Sequence, residues 1–294
     1  MNKSDLKIKV LDLIGKLFNW KNFRMTLKTI DHVREIAPEL EQEAWDILMA
    51  NFFLRKKFEN QYKIVSLGFT CMCRHFATYA MLKPNRTSGE KGMPFDLAAS
   101  PPKSVTHFLA TDFSDYFTKE WTFNKERNCW NNAPDTGCFY PHDKDCGPDD
   151  LEKLQTRLKG RIANFRETMA SEKPILFILH KAVINEGTPT HFTDEDTENL
   201  CREIKRIRNG KPFKILVLAC DHDDHCEKIE GADIYHHLWP TKYYTWHNPE
   251  ECNTPEGLKY ELGLYAIMRK GLVELLISCG KLEKDPVEKF SVKK

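Results

Sequence analysis

The chain has 294 residues, 41% hydrophobic and 30% charged, which suffices for one large domain or two small ones with a substantial core. Its 44 Lys and Arg against 43 Asp and Glu leave a formal net charge of +1, which excludes a nucleic-acid binder that works by bulk charge. No apolar run approaches the roughly 20 residues of a membrane span, so neither a nucleic-acid partner nor a membrane span is expected.

The N-terminal stretch MNKSDLKIKVLDLIGKLF alternates charged and apolar residues, with no uninterrupted apolar core and no small-residue cleavage site. No secretory signal is read there, and a reducing cytoplasm is the expected compartment. In that setting the ten cysteines are free thiols rather than a disulfide framework, Cys129, Cys138 and Cys146 included.

Three helices are predicted first. Leu6, Val10, Leu11, Ile14, Leu17 and Phe18 recur at helical intervals, a second run extends from Phe23 to Ile36, and a third from Glu39 to Phe58. Residues 1–60 therefore read as a helical appendage without chemistry of its own, whose added role would be to dock a protein partner. At Lys63 the period changes. The short β-branched run KIVSL, a turn at Gly68 and a helix over Thr70–Met81 make a strand, tight turn and helix.

A helical rhythm resumes over residues 103–117. A loop region follows from about Thr118 to Asp150, long enough to be functional and too aromatic to be disordered. Beyond it, helix and strand alternate: a charged helix Leu151–Ala170, a buried strand Pro174–His180, a helix capped by Thr193, a buried strand Phe213–Cys220 and a third strand near Ile234–Trp239. The last helix is punctuated by Thr254, Pro255 and, past its end, Gly280. Short apolar strands separated by helices predict an α/β fold, a mainly parallel sheet with helices on both faces, over residues 61–282, followed by a polar tail, 283–294.

Cys71 falls in the first turn of the helix after KIVSL, at the carboxyl end of a strand. Unpaired N–H groups and the helix dipole favour a thiolate there. Cys73 points the other way around the same helix. Buried, unreactive thiols are the commoner use of cysteine, so position alone is weak support. His142, in GCFYPHD, is a candidate base for Cys71, with a carboxylate to orient it. Asp96, in MPFD, is a candidate for that partner, and Asp143 another; a histidine that merely bonds loop backbone is the ordinary alternative for His142.

Taken in order, Ser66, Leu67, Gly68 and Cys71, then Pro94, Phe95 and Asp96, then Gly137, Tyr140, His142 and Asp143, then Arg161, Ile162 and Phe165 before the strand ILF, resemble a bacterial domain family described as papain-like cysteine peptidases. The resemblance spans about Lys63 to Lys181. It implies that Cys71 is the nucleophile and His142 the base, with Asp96 or Asp143 as polar partner. Leu97 and His180 depart from that pattern, which commonly carries an aromatic residue and an arginine at those places. The papain name also implies a helical half beside an antiparallel barrel, whereas the strands here read as parallel.

The resulting expectation is a cysteine-dependent hydrolase built on Cys71 and His142, with Ser66, Gly68, Asp221 and His222 near its substrate and no cofactor. Two alternatives stand beside it. One is a transferase or binding protein for a glycan or a surface-polysaccharide precursor, using Trp130, Trp239, Tyr243, Tyr244 and Trp246 as platforms. The other is a serine-type esterase using Ser66 and the late segment Trp246–Asn248. The run Cys220–Cys226 is rich in metal-ligand types, yet neighbours on one loop aim in different directions. It is read as a polar loop, with no metal assigned, although some of its residues could be joined by His236 or His237. Dinucleotide, P-loop and zincin motifs are absent from the sequence.

Overall fold

The computed structural model describes residues 21–84, 89–118, 120–132, 138–181, 193–221, 223–240 and 244–286. The helix expected over residues 4–18, His222, Tyr243 and the end of the polar tail lie outside them.

The chain is mixed α/β. Its main sheet consists of β1 (Lys63–Gly68), β5 (Ile175–Lys181), β6 (Phe213–Asp221), β8 (Ala232–Leu238) and β7 (His225–Ile229), in that spatial order. β1, β5, β6 and β8 run parallel, and β7 closes one edge antiparallel to β8. Two of the expected strands are thus β5 and β6, and their parallel pairing is as the apolar runs imply. β7 was not anticipated, because its sequence HCEKI carries the polar residues of an exposed edge strand.

Alternate strand residues enter two apolar clusters, as the two-residue strand period requires. Ile64, Leu176, Ile178, Leu216 and Leu218 join one cluster with α1 (Lys21–Ile36), α2 (Glu41–Lys57), α3 (Met72–Tyr79) and α8 (Pro255–Ser278). Val65, Leu67, Phe177, Leu179, Val217 and Ile234 join the other with α4 (Pro102–Ala110), α5 (Leu151–Ala170) and α6 (Asp194–Arg208). The N-terminal helices share the core of the sheet: Ile30, Val33, Trp45, Leu48 and Phe52 lie in the same cluster as Leu176 and Leu216.

Helix punctuation follows the residues that call for it. Thr193 accepts the Asp196 N–H in a capping box, Thr254 accepts the Gly257 N–H, and Gly280 takes a φ of +64° past the end of α8. The helix expected over 103–117 stops at Ala110, because Asp112 and Phe113 turn left-handed at φ +46° and +58°. The long 118–150 loop contains a small antiparallel sheet of β2 (Trp121–Asn124), β3 (Cys129–Asn132) and β4 (Cys138–Phe139). These strands have two to four residues, and the one that alternates, WTFN, is too short for its period of two to stand out from a loop. A short α7 (Pro249–Cys252) precedes α8. All ten cysteines are free thiols, and no helix among the described residues is long and apolar enough to cross a membrane.

Candidate active site

The site starts at the carboxyl end of β1. Gly68 has φ +100°, and a Cβ there would lie 2.5 Å from the Ser100 carbonyl oxygen, so only glycine makes this turn without displacing backbone. Three segments are stitched together beyond it. Phe69 N–H donates to the His180 carbonyl at the end of β5, Ser100 N–H donates to the Phe69 carbonyl at 2.8 Å, and Ala99 and Phe139 exchange both backbone hydrogen bonds at 2.9 and 3.0 Å. Phe69 and Ala99 are buried against Phe139. This backbone ladder carries the 138–143 segment to the start of α3.

Cys71 occupies the N-cap position of α3, and His142 Nε2 lies 3.1 Å from its Sγ. The thiol is half-buried and the histidine faces solvent. Burial pushes the Cys71 thiol up to about 11. Burial also pushes the His142 imidazole below its ordinary value; the Asp143 charge opposes this, and the Lys144 and Arg161 charges add to it. The pair therefore rests neutral at pH 7, with the thiol donating to Nε2. Position at a helix start favours a thiolate, whereas burial of the Cys71 thiol raises its pKa.

Neither aspartate is placed as an orienter of His142. Asp143 is buried, and its carboxylate accepts two hydrogen bonds from Arg161, at 2.7 and 2.9 Å, and one from Arg157 at 2.6 Å. It anchors the loop that carries His142 onto α5. Asp96 is buried beneath α3, where it accepts the Met93 N–H at 2.9 Å and pairs with Arg74 at 3.5 Å and Lys83 at 3.9 Å. It holds the MPFD turn to the helix. Among the described residues the hydrogen bond made by the His142 ring is the one to Cys71.

Ser66 is buried, and its hydroxyl accepts the Gly68 N–H at 3.4 Å, which makes it part of the turn. Cys73 is buried too, donating to the Gly68 carbonyl at 3.1 Å. Asp221 ends β6, two strands away from β1, and pairs in register with Leu238. His222 lies outside the described residues. Of the expected aromatic platforms, Trp130, Trp239 and Tyr244 are buried, whereas Trp246 is half-buried and reaches the site.

His75 and Trp246 complete the walls. The His75 ring lies 5.9 Å from that of His142 and 5.1 Å from that of Trp246. Burial, then the His142 and Arg74 charges, push His75 down to about 4, so it is neutral over the physiological range. The sequence reading omitted His75, although its i+4 spacing from Cys71 places both on one helix face. Sγ of Cys71 and one ring nitrogen each of His75 and His142 lie within 4.8 Å of one another, a sulfur and imidazole set of the kind that can hold a soft divalent ion once the thiol is deprotonated. His225, Glu227 and His236 form a second such group.

No protein-family model matches the chain, and searches of the curated proteins and of the solved structures give no match. The functional reading therefore rests on geometry.

Proposed function

We propose that the protein is a cysteine-dependent hydrolase or acyl transferase in which Cys71 is the nucleophile and His142 the general base. The observation that carries this reading is the 3.1 Å separation of Cys71 Sγ and His142 Nε2 at the end of a parallel strand. In the first step His142 takes the thiol proton as Sγ bonds to an acyl carbon. The protonated His142 then gives that proton to the departing amine, alcohol or thiol, leaving an acyl group on Cys71. Water, or an acceptor nucleophile, loses a proton to His142 and displaces the thiol, which recovers its proton from the imidazolium. N–H groups of the first turn of α3, adjacent to Cys71, are the available donors for an oxyanion, although that of Met72 already faces the Thr70 hydroxyl at 3.3 Å.

The buried Ser66 hydroxyl gives the serine-esterase alternative no support. Trp246 beside His75 is compatible with an acylated sugar as well as with a peptide. We read the sheet as covered by helices on both faces, supported by the two apolar clusters fed by alternate strand residues. A cytoplasmic setting is supported by the ten free thiols.

The test is hydrolysis of a panel of chromogenic acyl esters and fluorogenic peptides by the wild type, Cys71→Ala and His142→Asn. Activity that depends on both residues is expected, with a loss of about 100-fold or more in His142→Asn. Equal turnover by Cys71→Ala would remove the reading.

A further inference from the structure

Three side chains of metal-ligand type converge at the start of α3. Cys71 and His75, four residues apart, share one face of the helix, and the 138–143 segment brings His142 across to them. Sγ and one ring nitrogen from each histidine lie within 4.8 Å of one another. The two rings are tilted by 56° with centres 5.9 Å apart, so their planes intersect and one point can lie in both. Two imidazoles held at about 2.0–2.1 Å by one tetrahedral ion have ring centres about 5 Å apart, so a closing movement of about 1 Å brings both onto it.

His75 gives up no hydrogen bond through its inner nitrogen. Nε2 is buried without a partner, and the ring packs against Tyr79 and Trp246, with centres 5.8 and 5.1 Å away. A buried imidazole nitrogen in that state carries a desolvation cost that no bond offsets, and a bound ion would offset it. The solvent-facing His142 ring lies at the entry. Its Nε2 has to draw back from 3.1 Å to about 3.6 Å from Sγ, the sulfur–nitrogen separation around a tetrahedral zinc.

We propose that Cys71, His75 and His142 form a zinc site, its fourth position open to solvent, and that the bound ion switches off the Cys71–His142 pair. A thiolate and two imidazoles suit zinc, whereas calcium and magnesium favour oxygen ligands. On binding, the S–H bond breaks, a Zn–S bond forms and the proton leaves to solvent. Each histidine contributes a nitrogen lone pair, and nothing is oxidised or reduced. The ion then occupies both the sulfur needed for attack and the Nε2 lone pair needed as base. The site stands on geometry; its action as a switch rests on the acyl-transfer reading above.

The experiment uses the full chain, stripped with a chelator and titrated with Zn²⁺ against a chromophoric competitor, then with Co²⁺ followed by absorption. One Zn²⁺ per chain is expected, weakened at least tenfold in each of Cys71→Ser, His75→Gln and His142→Ala and unchanged in His225→Ala. Circular dichroism shows which variants are folded, and the exposed His142 guards against failure of the more buried two. Co²⁺ should give a thiolate charge-transfer band that Cys71→Ser abolishes. Acetylation of Cys71 by p-nitrophenyl acetate, followed by intact mass, should slow at least tenfold with Zn²⁺ bound and recover on chelation. Lack of stoichiometric binding, or binding that survives Cys71→Ser or is lost in His225→Ala, would overturn the site; acetylation of the stripped chain at Cys71 would then leave the acyl-transfer reading standing without it. Equal acetylation with and without the bound ion would overturn the switch alone. Binding with no acetylation of the stripped chain would keep the site and overturn the switch together with the acyl-transfer reading.

Discussion

Arg161 holds both carboxylate oxygens of Asp143 in a buried, two-point ion pair, with hydrogen bonds of 2.7 and 2.9 Å. Asp143 thereby anchors the residue next to it, His142, to α5. Arg161→Ala would leave the buried Asp143 carboxylate with Arg157 as its remaining charge partner, at 2.6 Å, and is expected to cost about 3 kcal/mol, the low end for breaking a buried ion pair, by urea denaturation. Burial raises the Asp143 carboxyl, but hydrogen bonds from Arg161 and then Arg157 hold it below the ordinary aspartate value. A depressed folded value stabilises above the unfolded one and is lost as pH falls through the folded value. Acid unfolding of the wild type should therefore be steeper than that of Asp143→Asn.

A neutral resting pair has a spectroscopic signature. The far-ultraviolet thiolate absorbance of the wild type minus that of Cys71→Ala should show no step between about pH 5 and 9, because burial raises the thiol to about 11. A step below pH 7 would mean a preformed thiolate–imidazolium pair. Since His142 is depressed by burial, the acid limb of acyl hydrolysis should have its midpoint below its ordinary 6.5.

Gly68 ties the fold to the chemistry. Gly68→Ala must accommodate φ +100° and a methyl 2.5 Å from the Ser100 carbonyl, so the turn itself has to move. A loss of about 1–3 kcal/mol is expected, with acyl hydrolysis falling more than stability does, because the same turn places Cys71.

Burial pushes the Glu261 carboxyl up to about 7, although hydrogen bonds from Tyr244 and Tyr265 lower it. A carboxyl raised on folding contributes stability in full below its unfolded value, and that contribution fades as pH climbs through about 7. Glu261→Gln should therefore gain on the wild type between about pH 5 and 8, by on the order of 3 kcal/mol in urea midpoints converted to free energy.

Periodicity and punctuation made much of the fold legible. The run ILFILH reads as a buried strand without its neighbours, and Thr193 and Thr254 announce helices through local hydrogen bonds. β2, β3, β4 and β7 were not legible, since short or edge strands draw their pairing from partners far along the chain. Cys71 and His142 were each visible as chemistry, and their order supplied the pairing. The roles of Asp96 and Asp143 were not, because a carboxylate reads the same whether it orients a base or fills an arginine clamp. His75 had a local signal in its i+4 spacing from Cys71, whereas the nearness of Trp246 to it comes from tertiary packing.

The most direct measurement is acyl transfer to Cys71 itself. After a brief exposure to p-nitrophenyl acetate, intact mass and peptide mapping should find a single acetyl group on Cys71. Its rate of formation should fall by about 100-fold or more in His142→Asn. Acetylation spread over other residues, or formed on Cys71 at the same rate without His142, would contradict a catalytic pair.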